Sequence, residues 1–574
     1  MRLVGYVHVG RGRMTLLVLC AALTAAAQVA GWILVRDAVD NGMQTNDETR
    51  LMVDVGIYIV ISAGAWTLGA YVIRGLAAVG QGIVLELRRH LFSHLTTLSL
   101  RYFSQTKAGW LIARLTSDID AVSDVLSEGL KTLIANTLTF FVAIAALFVV
   151  DWRLALVALT VLPPALAISR WFQIRSTVAF GEVRTRIAAV TAQMAESLAG
   201  MAVIQAFNRG PVFQGRFDEL NERNRAANFR AQTLWSVFFP AVEMIGVAAT
   251  GAVLWVGADL AHDGSVTLGS VIAFIGLLGL LFQPLQELSE LYGQVQSAAA
   301  AMVKIATVLD TEPDIASRPG APPIGRVAGH VEIDRVTFAY GAEPILHELT
   351  IEIPEGGCLA LVGESGGGKS TTAKLLARFY DPAEGAIRVD GHDLREIDLV
   401  SYRRQLGVVL QDPFLFSGTI ADNIRFAKPE ATDAEVADVA RAIGVDAVAA
   451  RLDDGLSHRV REGGSGLSAG ERQLISIARA LLADPRILIL DEATSNIDRP
   501  TEVLIERALD RLLAGRTSLI IAHRLSTVRR ADEILVIDHG RIRQRGRYDD
   551  LLAVDGPFRR LASELAGSTT LPRS

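Results

Sequence analysis

The stretch Gly363-Glu364-Ser365-Gly366-Gly367-Gly368-Lys369-Ser370 decides the fold of the second half of this 574-residue chain. It fits the pattern G-x-x-x-x-G-K-[S/T], in which glycines without a Cβ let backbone N–H groups converge on phosphate oxygens. Residues 358–362 have the composition of a buried strand, and residues 370–379 that of a helix whose N-terminus adds positive dipole. We therefore expect a phosphate-binding loop in which Lys369 reaches the β- and γ-phosphates of a nucleotide and Ser370 holds Mg²⁺. A glycine-rich turn without a ligand is the alternative, which the strand–loop–helix context disfavours.

Polar or aromatic side chains end four other predicted strands. Asp491 and Glu492 close one apolar strand, where Asp491 is suited to hold Mg²⁺ through water and Glu492 to polarise an attacking water. His523 and Gln411 close two more, and His523 is a candidate contact to a γ-phosphate. Tyr340 ends a strand placed before the loop, where an aromatic ring can stack on adenine; a structural histidine and a core tyrosine are the alternatives. Since ligands of open parallel sheets bind at the carboxyl ends of strands, these residues are predicted to share one site.

A second anion site is predicted at Leu467-Ser468-Ala469-Gly470-Glu471, directly before a helix over residues 472–483. Its small residues leave the Ser468 hydroxyl and backbone N–H groups accessible at the helix N-terminus, which attracts anions. The chain already has a complete phosphate loop, so this second site has no phosphate of its own. It makes sense if it closes over a nucleotide held by another copy or by a partner.

The composition is uneven along the chain. Half of the residues are hydrophobic, and most of these lie before about residue 291, so several domains of different character are expected. The net charge of −6 gives no sign of a nucleic-acid partner. The two cysteines, Cys20 and Cys358, suit neither a disulfide framework nor a metal site and are expected to be small buried side chains.

The first half is predicted to cross a membrane six times, because six apolar segments approach the roughly 20 residues that a transmembrane helix needs. The connections after the second and fourth segments are long and rich in Lys and Arg, whereas the others are short and contain few. By the positive-inside rule, the long connections and both termini are cytoplasmic. The six segments are residues 14–35, 55–73, 132–150, 154–172, 235–257 and 266–285.

The two long connections are predicted to be helical, because residues 81–98 and 187–207 carry apolar side chains at helical spacing. We expect the membrane helices to continue into the cytoplasm as two hairpins that turn near residues 106–109 and 197–200. Such hairpins could carry force between a nucleotide site and the membrane; merely solvated hairpins are the alternative. A kink is expected at Pro163-Pro164 in the fourth segment.

Two polar residues fall inside predicted membrane segments. Glu243 lies in the fifth, where it would contact a cationic or hydroxyl-bearing cargo, or would be a protonated or hydrogen-bonded residue that joins helices. Asn136 lies in the third and is expected to join helices.

The predicted fold class has two parts. An α-helical transmembrane domain with long cytoplasmic extensions occupies residues 1–310, and a linker rich in Pro and Gly covers residues 311–330. Strand and helix patterns then alternate over residues 331–574, which predicts an α/β nucleotide-binding domain with a largely parallel sheet.

With these motifs together, the chain resembles the ATP-binding cassette transporters, and more closely the type I exporter half-transporters. The resemblance covers essentially the whole chain, including the stretch Gly109-Trp-Leu-Ile-Ala-Arg-Leu-Thr-Ser-Asp118 in the first long connection. It implies that residues 363–370 are the Walker A loop and that residues 487–491 are the Walker B strand. Residues 495–498 look like the D-loop, with an asparagine at position 496 where a small residue is usual.

The signature motif of that family, usually written LSGGQ, matches residues 467–471. The match departs from the pattern at Ala469 and Glu471 and keeps Ser468 and Gly470, the more important positions for phosphate contact.

The resemblance also implies a role for each site residue. Glu492 matches the catalytic glutamate, His523 the switch histidine and Gln411 the Q-loop. Mg²⁺ is implied to be held by Ser370, by Gln411 and, through water, by Asp491. Contacts to ATP are implied for Tyr340, Gly363, Glu364, Ser365, Gly366, Gly367, Gly368, Lys369, Ser370, Thr371, Gln411 and Asp491, and from the partner for Ser468 and Gly470.

The resemblance implies a mechanism in which two half-transporters, identical or different, sandwich two ATP molecules and move the membrane helices by alternating access. The second hairpin usually docks on the partner's nucleotide domain in this family. The expected cargo is a lipid, a drug-like molecule or another amphipathic compound, exported across a cell membrane. Abundant Ala, Val and Arg point to a GC-rich bacterial source, and the membrane expected for such a source is the bacterial inner membrane. An importer of lipid or metal-chelate cargo and an ATP-gated regulator or channel are the alternatives; the six segments exclude a soluble cassette protein that acts on nucleic acid.

Overall fold

The computed structural model describes residues 11–491, 499–522 and 524–567, and the chain divides into two compact units. The division falls between Thr311 and Glu312, next to the predicted start of the linker. The segment Thr97–Thr106, from the first hairpin, is grouped with the second unit rather than with the helices that flank it in sequence.

The described residues of the first unit are helical, without strands. Short π-helical turns occur at Ala38–Met43, Arg114–Asp118 and Val125–Gly129. In chain order, and with α3 belonging to the second unit, the helices are α1 (Arg11–Asp37), α2 (Glu48–Thr97), α3 (Leu100–Gln105), α4 (Ala108–Ala113), α5 (Ile119–Asp124), α6 (Leu130–Val150), α7 (Trp152–Leu159), α8 (Leu162–Ala199), α9 (Met201–Ala206), α10 (Gly210–His262) and α11 (Leu268–Leu309).

Five helical segments within the described residues are long and apolar enough to cross a membrane, and they contain the first five predicted spans. The sixth predicted span, residues 266–285, falls on a shorter apolar stretch, Leu268–Pro284, at the start of α11. Only 6% of the most apolar window of α2 is buried within the chain, so its apolar side chains are available to lipid. The five segments are Gly12–Met43, Glu48–Thr97, Ala108–Val150, Trp152–Ala199 and Gly210–His262.

The fourth span is broken where its two prolines lie. The carboxylate of Asp151 caps α7 by accepting hydrogen bonds from the backbone N–H groups of Arg153 and Leu154 at 2.8 and 3.1 Å. After α7 ends, α8 begins with Pro163 and Pro164 in its first turn. A helix start tolerates proline because its missing N–H would have no intrahelical partner there. The predicted kink therefore takes the form of a break between two helices.

Four of the described helices of the first unit are much longer than a membrane requires, as the sequence predicts. α2, α8, α10 and α11 contain 50, 38, 53 and 42 residues. At 1.5 Å per residue, a 50-residue helix extends about 75 Å, whereas the hydrocarbon core of a bilayer is about 30 Å thick. α8 ends against Gly200 and the short α9 follows, so the turn predicted near residues 197–200 is confirmed.

The described residues of the second unit form three sheets. The strands are β1 (Val331–Phe338), β2 (Leu346–Ile353), β3 (Cys358–Val362), β4 (Glu384–Val389), β5 (His392–Asp393), β6 (Leu406–Val409), β7 (Gly418–Thr419), β8 (Arg459–Val460), β9 (Ile487–Asp491), β10 (Thr517–Ile521), β11 (Glu533–Asp538) and β12 (Arg541–Gly546). A six-stranded sheet has the order β12-β11-β3-β10-β9-β6, a four-stranded antiparallel sheet has the order β2-β1-β4-β5, and β7 pairs with β8.

Helices cover the six-stranded sheet, in which β11, β3, β10, β9 and β6 are parallel. Strand β10 is buried along its whole length, as expected for a parallel strand covered on both faces. The predicted α/β fold is therefore confirmed. The helices are α12 (Lys369–Leu376), α13 (Leu399–Arg403), α14 (Ile420–Arg425), α15 (Asp433–Ile443), α16 (Val445–Ala449), α17 (Ala469–Leu482), α18 (Arg499–Leu513), α19 (Leu525–Val528), α20 (Tyr548–Ala553) and α21 (Pro557–Gly567).

Candidate nucleotide-binding site

Four parallel strands of the six-stranded sheet end at one edge. Leu361 of β3 lies beside Ile521 of β10, and Ile521 lies beside Asp491 of β9. Strand β6 ends at Val409, one register position from Asp491, and Gln411 follows it. This edge therefore brings together the phosphate loop, Asp491 and Gln411, at the position where parallel sheets bind their ligands.

The phosphate loop depends on glycine at particular positions. Gly363, Gly366 and Gly368 have φ angles of 145°, 85° and 106°, in the region that residues with a Cβ rarely adopt. A Cβ at Gly363 would also overlap the backbone carbonyl oxygen of Ile537. Gly368 is the N-cap of α12, so the loop delivers its backbone N–H groups to the N-terminus of that helix.

Lys369 is held within this loop. The residue is only 5% exposed, and its Nζ donates hydrogen bonds at 2.7 Å to the carbonyl oxygens of Gly363 and Glu364. Burial lowers the pKa of Lys369, and the charge of the nearby Asp491 carboxylate opposes that shift. A phosphate anion beside the ammonium group would favour the charged form in the same way as Asp491 does.

The three residues predicted to hold a divalent cation carry oxygen donors and come from three elements that meet this edge. Ser370 is the second residue of α12 and is exposed, Gln411 is exposed after β6, and Asp491 is partly exposed at the end of β9. Hydroxyl, amide and carboxylate oxygens are hard donors that suit Mg²⁺, which usually also binds substrate phosphates and water. The described residues contain no cluster of three or more His, Cys, Asp and Glu that could hold a metal ion. By the type of their oxygen donors, Ser370, Gln411 and Asp491 fit Mg²⁺ bound together with a nucleotide.

Tyr340 lies near the end of the phosphate loop and belongs to a cluster of aromatic rings. Its ring meets Phe338 and Tyr380 edge to face, with 5.0 Å between ring centroids in each pair. Its hydroxyl lies 3.5 Å from Oγ1 of Thr371, which follows the loop directly. Within the same unit, the guanidinium of Arg101 on α3 lies over the Tyr380 ring at 5.8 Å.

The sequence alone does not indicate that Tyr380 and Arg101 lie beside Tyr340. Tyr380 follows α12 in a short turn, and Arg101 lies in a different sequence region, so no motif joins them to Tyr340. The sequence offers one indication for Arg101, which lies between the predicted helical segment 81–98 and the predicted turn near residues 106–109.

The signature segment lies at the start of α17. Ser468 is the N-cap, and its hydroxyl accepts a hydrogen bond from the backbone N–H of Glu471 at 3.2 Å. The Glu471 carboxylate accepts one from the backbone N–H of Ser468 at 2.9 Å, which completes a capping box. Gly470 is buried in the first turn. The predicted helix N-terminus is confirmed, and Glu471 is part of its cap.

Two predicted catalytic residues lie outside the described residues. These are Glu492 and His523, together with the D-loop segment at residues 495–498. Asp491, which precedes Glu492, is the last residue of β9. Ala522, which precedes His523, directly follows the last residue of β10.

The first unit contains a cavity of about 450 Å³ between α10 and α11. Glu243 lines it together with apolar residues such as Val247 and Phe282. The carboxylate thus faces an open, mostly apolar space, whereas Asn136 joins helices as predicted: its side-chain amide donates a 2.7 Å hydrogen bond to Glu287 on α11.

Comparisons with known proteins agree with this architecture. A family model described as the ABC transporter transmembrane region matches residues 14–285, and a second model, described as ABC transporter, matches residues 346–495. An uncharacterized ABC transporter ATP-binding protein of Bacillus subtilis is 39% identical over 85% of this chain and 81% of its own length. An ATP-dependent lipid A-core flippase of Syntrophus aciditrophicus is 33% identical over 96% of this chain and 91% of its own length.

Two further relatives extend the comparison. A multidrug efflux ATP-binding/permease protein of Mycobacterium bovis is 35% identical over 96% of this chain, which spans 46% of that protein. The solved structure of a bacterial Atm1-family ABC exporter with ATP bound superposes with a TM-score of 0.82 at 28% identity, covering 98% of this chain and 99% of that one. The chain therefore belongs to the ABC transporter family, as a half-transporter that fuses a transmembrane domain to an ATP-binding domain.

Proposed function

We propose that the chain is an ATP-driven exporter that works as a dimer and moves lipid, drug-like or other amphipathic compounds by alternating access. The observation that carries the proposal is the phosphate loop at a shared strand-end edge, in one chain with helices that can cross a membrane. Names of relatives support export, since they include a multidrug efflux protein and a lipid A-core flippase. We place the chain in the bacterial inner membrane with both termini in the cytoplasm, which supplies ATP.

The proposed hydrolysis site assigns a separate task to each side chain. Lys369 binds the β- and γ-phosphates, Glu492 polarises the attacking water, and His523 contacts the γ-phosphate. Mg²⁺, when bound, neutralises charge on the phosphate oxygens. The residues that would hold it are Ser370, Gln411 and, through water, Asp491.

A dimer is supported by the signature segment. Ser468 and Gly470 form a capped helix N-terminus suited to an anion, while the phosphate loop of the same chain already binds one nucleotide. In the proposed dimer, this N-terminus closes over ATP held by the partner's loop. Two complete sites then form only when two chains meet.

Exposed apolar side chains in both units also support a second chain. On the tip of the second hairpin, Leu198, Val203 and Phe207 are 67%, 61% and 72% exposed. In the second unit, Phe414 and Phe416 are about half exposed. Exposed apolar groups of this size commonly mark protein contacts, and we assign them to docking of the hairpin of one chain on the nucleotide domain of the other.

Cargo is assigned to the cavity beside Glu243. Its lining is apolar apart from Glu243 and Thr250. It therefore suits an amphipathic molecule, whose apolar part can contact the apolar lining and whose polar part can contact these two side chains. A cationic or hydroxyl-bearing group of the cargo would meet the carboxylate.

The hydrolysis site is tested with Glu492→Gln in the full chain, purified into lipid nanodiscs. This variant is expected to bind ATP normally but to hydrolyse it at least about 100-fold more slowly, because the water loses its base. Lys369→Ala serves as the comparison, since it should lose binding as well. Near-normal turnover by Glu492→Gln would overturn the assignment.

Direction is tested in inverted membrane vesicles with a fluorescent amphipathic cation. ATP-dependent accumulation inside the vesicles supports export. ATP-dependent depletion would indicate an importer, and ion current without matching hydrolysis would indicate a channel or regulator.

A further inference from the structure

The signature segment carries a charge where an amide is usual. Glu471 occupies the last position of Leu467-Ser468-Ala469-Gly470-Glu471, whereas the family pattern ends in glutamine. In the proposed dimer this segment faces the γ-phosphate of ATP on the partner, so the following inference rests on the proposed function. A carboxylate in the first turn of α17 would repel that phosphate and offset the positive end of the helix dipole.

Both oxygens of the Glu471 carboxylate are used in the structure. Oε2 accepts the backbone N–H of Ser468 at 2.9 Å as part of the capping box. Oε1 accepts a hydrogen bond at 3.0 Å from Nη2 of Arg451. A glutamine could accept the bond from Ser468 through its carbonyl oxygen, so the helix cap alone does not require a charge.

Arg451 comes from a separate element, just after α16 and 20 residues before Glu471 in sequence. Its side chain is 64% exposed, whereas the Glu471 side chain is 20% exposed. The neighbouring Arg472 is directed to another acceptor, because it donates to the Leu467 carbonyl oxygen at 2.7 Å. Arg451 is therefore the guanidinium that meets the Glu471 carboxylate.

We propose that Arg451 is a positioning residue for ATP hydrolysis, which neutralises Glu471 and keeps its carboxylate folded back on the helix cap. With the pair in place, the start of α17 presents the Ser468 hydroxyl and backbone N–H groups to the partner's γ-phosphate without a net negative charge. The two residues form a unit: Arg451 is needed only because position 471 is a glutamate.

This dependence gives a double-mutant test in full-length protein in nanodiscs, with ATP hydrolysis measured against ATP concentration. Arg451→Gln is expected to raise the KM for ATP about threefold to fivefold, the range that an exposed ion pair can contribute. The increase should shrink at high salt, because the repulsion it exposes is screened. In a Glu471→Gln background, Arg451→Gln should have no further effect on KM.

An exposed ion pair in the same unit provides the matched control. Arg441 and Asp438 on α15 form an exposed ion pair of 2.8 Å, and Arg441→Gln should leave KM unchanged at every salt concentration. If Arg451→Gln matches the wild type, or if its effect persists unchanged beside Glu471→Gln, the proposal is wrong. Failure of the proposed function has a different signature, namely no hydrolysis by the wild-type chain or hydrolysis that survives Lys369→Ala.

Discussion

Tyr340 shows how one side chain can be tested separately from the phosphate loop. Its ring is fixed edge to face between Phe338 and Tyr380, with the hydroxyl near Thr371. We expect Tyr340→Leu to raise the KM for ATP about tenfold, since base–aromatic stacking contributes roughly 1–3 kcal/mol. Tyr340→Phe keeps the ring and should stay close to the wild-type KM. Equal behaviour of the two variants in steady-state hydrolysis would argue against stacking.

Cys358 offers a prediction that depends mainly on burial. Desolvation raises the pKa of its thiol to about 12, the Asp532 carboxylate adds to the shift, and Arg530 opposes it. The reactive thiolate is therefore scarce at neutral pH. Because the pKa is raised, the thiol becomes reactive only as the pH rises towards the pKa. In a Cys20→Ser variant, a maleimide at pH 7.5 should label the unfolded chain within minutes and the native chain far more slowly. Equally rapid labelling of the native protein would show that the thiol is accessible.

At the same scale, the sequence predicts the residues that act through a local pattern. Gly363 and Lys369 are identified by their spacing alone, and the structure gives them a loop with a positive φ and a buried ammonium group. Tyr380, Arg101 and Arg451 could not be found in this way, because folding brings each of them to its partner from a different element.

Among the elements, α1 and α11 are joined by a clasp at their ends. The Asp40 carboxylate, in the π-helical turn after α1, accepts the backbone N–H of Gly269 at 2.8 Å and the hydroxyl of Thr267 at 2.5 Å. Gly269 has no room for a Cβ, which would overlap the Arg36 carbonyl oxygen. The clasp therefore caps the N-terminus of α11 with a side chain from the first membrane helix.

The clasp should contribute to the stability of the membrane domain. We expect Asp40→Ala to lower it by about 1–3 kcal/mol, because the buried N–H of Gly269 would lose its acceptor. Thermal unfolding of the purified chain in nanodiscs measures this as a lower midpoint. Asp263→Ala, at an exposed position after α10, is the control and should change the midpoint little. Identical midpoints for the two variants would show that the clasp does not stabilise the helices.

Element types were predictable where periodicity extends over many residues. The apolar runs and helical spacing in α2, α8 and α10 predicted long helices, and the alternation in β1 predicted a strand. The π-helical turns and the grouping of α3 with the second unit were not predictable, because they depend on packing between segments rather than on local pattern.

For the whole molecule, the sequence specifies what each chain contributes but not the identity of its partner. A homodimer and a heterodimer require the same loop and the same signature segment from this chain. The proposed arrangement has one strict consequence: Lys369 and Ser468 serve the same ATP only when they come from different chains. Testing this consequence distinguishes an ATP site built from two chains from a site completed within one chain.

Complementation between two inactive variants tests that consequence. Lys369→Ala and Ser468→Arg, each purified alone, should hydrolyse almost no ATP, because every dimer lacks one half of both sites. In a mixed dimer, one site receives the intact Lys369 from one chain and the intact Ser468 from the other. Random pairing makes half of the dimers mixed, so co-expressed variants should reach about a quarter of the wild-type rate if the sites act independently. Different affinity tags on the two variants verify mixed dimers, and mixed dimers that remain inactive would contradict independently acting sites shared between two copies of this chain.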